Sequence, residues 1–224
     1  MSRPLVIFDI DGTLVRRTGP HHRQALVDAV REVTGAETTT EGIPVHGMLD
    51  PDILTLMLAA AGFDAVEIEA AMPRLIEAAQ DIYEAIVPDL RDKTCPGVVP
   101  LLDHLRDRGA VLVLVTGNLT RIGWRKLDRA GLHHYFRFGA FAEMAATRGG
   151  LARLAIERAR EEGLIDPDSH VWLIGDAPQD VEAARENGIQ SIAVRTGITP
   201  AGHLEACAPD LLLDDLTLLD PAII

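Results

Sequence analysis

Apolar residues along this chain follow two alternating rhythms. Short uninterrupted runs at 5–8 (LVIF), 111–115 (VLVLV), 171–174 (VWLI), 191–194 (SIAV) and 211–213 (LLL) fit strands buried on both faces, because a strand covered on one side only would alternate with polar residues. Between them lie stretches with apolar residues at helical spacing. In 98–109 (VVPLLDHLRDRG), Val98, Leu101, Leu102 and Leu105 form one face and Gly109 closes the pattern. The stretches 120–131, 150–163 and 179–188 likewise end in Gly, the residue that most easily takes the left-handed conformation at a helix C-terminus. Strand alternating with helix predicts an α/β fold with a Rossmann-like parallel sheet covered by helices on both faces.

The rhythm breaks once. About a hundred residues separate the first strand from the second, where a crossover of about a dozen would suffice. Residues 16–90 carry helical patterns and no strand pattern: 21–35 with Ala25, Leu26, Ala29, Val30 and Val33; 50–62, opened by Asp50 and Pro51; and 73–87 with Leu75, Ile76, Ala79, Ile82, Tyr83 and Ile86. Their apolar faces are wide enough to pack on one another. This divides the chain into a core of residues 1–15 and 91–224 and a helical insertion of residues 16–90.

Composition narrows the function. The 224 residues are 47% hydrophobic and 25% charged, with a formal net charge of -13. Such a charge disfavours nucleic acid and anionic membrane surfaces, which would repel the protein at long range. An anionic substrate then requires local positive charge or a metal. The N-terminal apolar run is too short for a signal peptide or spanning helix, which predicts a cytoplasmic protein. Cys95 and Cys207 have neither the number for a disulfide framework nor the spacing of a zinc site. Trp124 and Trp172 read as core, and His21 and His22 as the solvated start of a helix.

In open α/β sheets, ligands bind beyond the carboxyl ends of the strands. Here the first strand runs into Asp9 and Asp11, the second into Thr116, Gly117 and Asn118, and the third, after Gly175, into Asp176 with Asp180 four residues on. Carboxylates brought this close repel by about 4 kcal/mol per adjacent pair at an effective dielectric of 20. A divalent cation resolves that conflict, and an all-oxygen donor set without His or Cys suits Mg²⁺. With a cation in place, the Thr116 hydroxyl and the backbone N–H groups of the Gly117 turn can hold phosphate oxygens, and Asn118 can add a donor. One Asp can attack phosphorus to form an acyl phosphate. Asp9, nearer the metal, suits that role, and Asp11 is then placed to move protons as general acid and base. The start DIDG also suggests a calcium loop, but Leu14 and Pro20 stand where that loop needs Gly and Glu.

FDIDGT (8–13), LVTGN (114–118) and LIGDAPQDVEAARENG (173–188), in this order and each following a strand, resemble motifs one, two and four of the haloacid dehalogenase-like hydrolases. The resemblance implies Asp9 as nucleophile, Asp11 as acid/base and Thr116 as the phosphate-binding hydroxyl. It also implies a metal held by Asp9, Asp176, Asp180 and the backbone carbonyl of Asp11. By the same resemblance the insertion is a cap over the site, and 95–109 points to the phosphoglycolate-phosphatase-like branch. The third motif departs from the family: its usual lysine is missing, because the only lysines are Lys93 and Lys126 and none follows Lys126. Arg148, just before the amphipathic stretch at 150–163, is the substitute, since a guanidinium stays charged and grips two oxygens at once. Arg153 and Arg158 read as solvated.

The expectation is a Mg²⁺-dependent phosphatase acting on a small phosphorylated metabolite, as a monomer or homodimer. A phosphosugar mutase shares the same two aspartates, a 2-haloacid dehalogenase would not need Asp11, and a receiver-like module would hold its phosphoryl group without turnover. The loop 44–50, with His46, Gly47 and Met48, is the part of the insertion placed to reach a substrate.

Overall fold

The computed structural model describes residues 3–200 and 202–224. Six strands, β1 (Leu5–Phe8), β2 (Val111–Val115), β3 (Gly139–Ala140), β4 (Val171–Gly175), β5 (Gln190–Val194) and β6 (Leu211–Leu213), form one sheet in the order β3-β2-β1-β4-β5-β6. Every pairing is parallel. The chain builds outward from β1 to β2 and β3 and then crosses back to add β4 on the other side of β1. The strand order therefore reverses at β1, where a crevice opens at the carboxyl edge of such sheets. The register pairs Phe8 with both Leu114 and Ile174, so the residues after these three strands emerge level with one another.

The helices α1 (His21–Thr34), α2 (Asp50–Ala60) and α3 (Ala65–Ile86) fill the interval between β1 and β2. Ala25, Leu26 and Ala29 of α1, Leu54, Met57 and Leu58 of α2, and Leu75, Ala79 and Tyr83 of α3 are buried, and these residues belong to the same continuous apolar core as the sheet. Each fully buried Leu or Met contributes about 1.5–3 kcal/mol, which is what orders this segment. The chain enters and leaves the insertion through paired connections: Cys95 donates its N–H to the Leu14 carbonyl at 2.9 Å and Arg16 to that of Lys93 at 2.9 Å. Five further helices follow: α4 (Val98–Asp107), α5 (Thr120–Ala130), α6 (Arg148–Glu161), α7 (Pro178–Glu186) and α8 (His203–Ala206).

Two elements differ from the sequence expectation. β3 has only two residues, Gly and Ala, and no apolar run to announce it; Phe138 and Phe141, buried on either side, fix it at the sheet edge. α3 starts well before the pattern at 73–87, because Asp64 and Glu67 form a capping box at its N-terminus. Pro73 stands inside the helix on its exposed side.

Candidate active site

The carboxyl ends of β1, β2 and β4, the connection 12–19 and the loop 45–50 enclose a cavity of about 500 Å³. Asp9, Asp11, Thr116, Gly117, Asn118, Arg148 and Asp176 line it, and Gly47 enters from the insertion. Asp180 lies behind this wall on the first turn of α7.

One side of the cavity is acidic. Carboxylate oxygens of Asp9, Asp176 and Asp180 all lie within 4.8 Å of one another, and all three residues are buried. Burial, then the neighbouring Asp9 and Asp180, push Asp176 well above the usual carboxylate range. Asp180 is pushed up to about 6 by burial, which outweighs the opposing Arg148 charge. Asp180 also accepts a hydrogen bond from the Ala177 N–H at 3.0 Å, so it caps α7 and joins the cluster with the same side chain. Asp176 Oδ1 is buried with no hydrogen-bond partner among the described residues. The space around Asp176 exists because residues 12 and 197 are glycines. A Cβ at Gly12, whose φ is +85°, would stand 2.3 Å from the carboxylate, and one at Gly197 even closer. An all-oxygen cluster with an orphaned acceptor fits a hard divalent cation.

Arg148 supplies the protein's own positive charge here. As the first residue of α6, whose N-terminus is capped by the Thr147 hydroxyl accepting from the Gly150 N–H, it enters the cluster with Nη1 at 2.7 Å from Asp180 Oδ1 and 3.1 Å from Asp9 Oδ1. Burial works against its charge, but Asp180 and Asp9 outweigh burial and raise its pKa further. Its Nη2 reaches the Gly47 carbonyl at 3.5 Å. Arg153 and Arg158, read as solvated, are exposed. With Arg148 present, three carboxylates and one guanidinium leave a deficit that one divalent cation would cancel.

The other side is built around Asp11, whose carboxylate lies outside the acidic cluster. The metal role expected for Asp11 through its carboxylate is therefore not supported by its position, since the clustered oxygens are those of Asp9, Asp176 and Asp180. Asp11 Oδ2 accepts from Asn118 Nδ2 at 2.9 Å and from Lys126 Nζ at 2.5 Å. Burial would raise the Asp11 carboxyl, yet the Lys126 charge and these hydrogen bonds together hold it below the usual range. Asn118 Nδ2 also donates to Thr116 Oγ1 at 2.7 Å, so Asn118 braces both the acid and the hydroxyl. Gly117 lets the insertion come close: its carbonyl accepts from the Asp50 N–H at 2.8 Å, and a Cβ there would stand 2.2 Å from the Met48 carbonyl.

Three residues of this side were not legible in the sequence. Lys126 reads as an ordinary helix position, yet it is completely buried. His22, expected to be solvated, bonds Asp50 Oδ2 through Nε2 at 2.9 Å and lies 3.1 Å from Lys126 through Nδ1. Asp50, expected to cap α2, is buried at its first position and accepts from the Leu119 N–H at 2.9 Å. From the loop 44–50, His46 lies 3.7 Å from Asp176, and burial lowers its pKa.

Haloacid dehalogenase-like hydrolases as a family match residues 4–188. A phosphoglycolate phosphatase from Caulobacter vibrioides is 31% identical over 217 residues, covering 93% of this chain and 85% of that protein. A glyceraldehyde 3-phosphate phosphatase from Methanopyrus kandleri is 28% identical over 207 residues, covering 86% and 84%. In fold, a β-phosphoglucomutase from Clostridium difficile superposes with a TM-score of 0.71 over 99% of this chain and 95% of that one at 19% identity, a likeness that speaks for the fold alone. Residues 4–188 span both the strand ends that gather the acids and the insertion between β1 and β2, and by that match the chain belongs to the haloacid dehalogenase-like hydrolases.

Proposed function

We propose that this protein is a Mg²⁺-dependent phosphatase that hydrolyses a small phosphorylated metabolite through an aspartyl phosphate on Asp9. The observation that supports it most is the division of labour between two carboxylates two residues apart: Asp9 faces Arg148 and the acidic cluster, while Asp11 is turned toward Lys126 and Asn118. The phosphatase names of the relatives from Caulobacter and Methanopyrus agree with it.

Asp9, Asp176, Asp180 and the Asp11 backbone carbonyl are the groups that would hold the metal. Bound there, Mg²⁺ supplies positive charge against the phosphate oxygens and the clustered acids. The chain's own residues do the rest. Arg148, the Thr116 hydroxyl and the Gly117 turn hold the phosphoryl oxygens. The Asp9 carboxylate attacks phosphorus, the bond to the leaving oxygen breaks, and Asp11 delivers the proton that oxygen needs. Asp11 begins ionised; an anionic ester arriving beside it adds negative charge and favours uptake of a proton from solvent, which returns to solvent once phosphate has left. Water then attacks the phosphorus of the acyl phosphate and gives its proton to Asp11, which releases phosphate and regenerates the Asp9 carboxylate.

Residues 16–90 act as the cap over a core of residues 1–15 and 91–224, with His46 to Met48 bordering the substrate. The mouth carries the local positive charge that an acidic protein needs for an anionic substrate: Arg16, Arg17 and Arg23 line it and make no ion pair with a carboxylate among the described residues. The test is phosphate release from a panel of small phosphate esters, phosphoglycolate and glyceraldehyde 3-phosphate included, with and without Mg²⁺. Metal-dependent release of inorganic phosphate is expected. Metal-independent turnover, halide release from 2-haloacids, or an isomeric sugar phosphate as product would overturn the reading.

A further inference from the structure

Lys126 is a buried cation that the chemistry above does not use. A lysine ammonium carries three N–H donors and no acceptor, and burying it is costly unless each proton is satisfied. Here all three have a partner: Asp11 Oδ2 at 2.5 Å, Asn118 Oδ1 at 2.6 Å and His22 Nδ1 at 3.1 Å. Because the ammonium can only donate, Nδ1 of His22 must accept, which puts the ring proton on Nε2, facing Asp50 Oδ2 at 2.9 Å. Asp50 is in turn held by the Leu119 N–H, at the start of the helix that carries Lys126. The ring is therefore closed, from Lys126 of α5 through His22 of α1 and Asp50 of α2 back to the start of α5, and Asp11 is held from it by Lys126. The Tyr83 ring of α3 covers it, 5.9 Å from Lys126 Nζ and 5.8 Å from the His22 ring.

We propose that Lys126 is a positioning residue: anchored through His22 to Asp50, its ammonium fixes the Asp11 carboxylate away from the acidic cluster, in the orientation from which Asp11 exchanges protons with the leaving group. The inference rests on the phosphatase reading. It adds that Asp11's orientation depends on two residues of the insertion, so the proton-moving group is set only while α1 and α2 are docked on the core.

A purely structural lysine and a positioning lysine differ in one readout. Proton delivery matters for a poor leaving group and hardly at all for a good one, so Lys126→Met should lower kcat/KM by at least ~30-fold for methyl phosphate and by less than ~3-fold for 4-nitrophenyl phosphate. Asp11→Asn should show the same selectivity, and adding Lys126→Met to it should cost little more, since both remove one function. Equal losses on both esters, or full additivity in the double variant, would overturn the proposal. His22→Leu, which leaves the ammonium one acceptor short, is the second variant: the same selectivity supports the proposal and a uniform loss contradicts it, even if Lys126→Met does not fold. Failure of the wild-type protein to release phosphate from either ester would instead defeat the phosphatase reading itself.

Discussion

The two sides of the cavity handle charge in opposite ways. Around Asp9, three buried carboxylates share one guanidinium, Asp176 keeps an orphaned oxygen, and Asp176 and Asp180 are both pushed upward. Around Asp11, every proton of the Lys126 ammonium has an acceptor and the carboxylate is pushed downward. The first side leaves room for added positive charge, which is why the proposed function puts a cation and a phosphoryl group there. The second is already satisfied and needs only to keep its geometry. The sides also differ in origin: the acidic cluster and Arg148 come entirely from the core, whereas the Asp11 side borrows His22 and Asp50 from the insertion.

The most severe way to break the comparison is on the acidic side. Asp9→Asn removes the nucleophile and should lower kcat by at least ~10³-fold, measured as phosphate release at saturating ester and Mg²⁺, with the fold intact by circular dichroism. Arg148→Ala follows, because a charge that stabilises a transferring phosphoryl group is worth several kcal/mol. At least a ~10-fold loss in kcat/KM is expected, and unchanged kinetics would assign the family's third motif to another residue.

Asp176→Asn sharpens the comparison through stability. A carboxyl raised in the folded state binds its proton more tightly there than in the unfolded chain, so its unfavourable contribution is absent below about pH 4 and grows as pH rises. In metal-free protein, Asp176→Asn should therefore melt roughly 2–4 °C higher than wild type at neutral pH, and that gap should close on acidification toward pH 4. Added Mg²⁺ should stabilise wild type and leave the variant nearly unmoved. A pH-independent gap would mean that the acids do not repel one another as described.

The smallest effect is expected where core and insertion meet at the surface. Arg121 of α5 bonds Glu84 at 2.5 Å, Asp81 at 2.7 Å and Glu77 at 3.1 Å, all on α3. These pairs are partly solvated, so Arg121→Ala should cost at most about 1 kcal/mol in urea unfolding. It should leave the ratio of methyl to 4-nitrophenyl phosphate turnover unchanged, in contrast to Lys126→Met.

What could be read from the sequence follows the same division. Asp9, Asp11, Thr116, Asn118, Asp176 and Asp180 were identifiable because parallel strands deliver their following residues to one edge, and the register shows Phe8, Leu114 and Ile174 level as that rule requires. Arg148 followed from a missing lysine and its place at a helix start. Lys126, His22 and Asp50 were not identifiable. Their partners are far away in sequence, each sits on a helix where a polar residue normally faces solvent, and only the docking of α1 and α2 on the core brings them together. The short strand β3 and the early start of α3 were hidden for local reasons, one lacking apolar residues and the other set by a cap rather than by periodicity.

The central claim is that Asp9 carries the phosphoryl group while Asp11 only moves protons. The direct measurement mixes the Asp11→Asn protein, slowed in losing its phosphoryl group, with a 4-nitrophenyl phosphate pulse and Mg²⁺. The mixture is acid-quenched within a single turnover and its peptides are read by mass spectrometry. The account predicts a phosphoryl adduct on Asp9 that is absent in the Asp9→Asn, Asp11→Asn double variant. Release of 4-nitrophenol with no adduct on Asp9, or with the adduct on another residue, would contradict it.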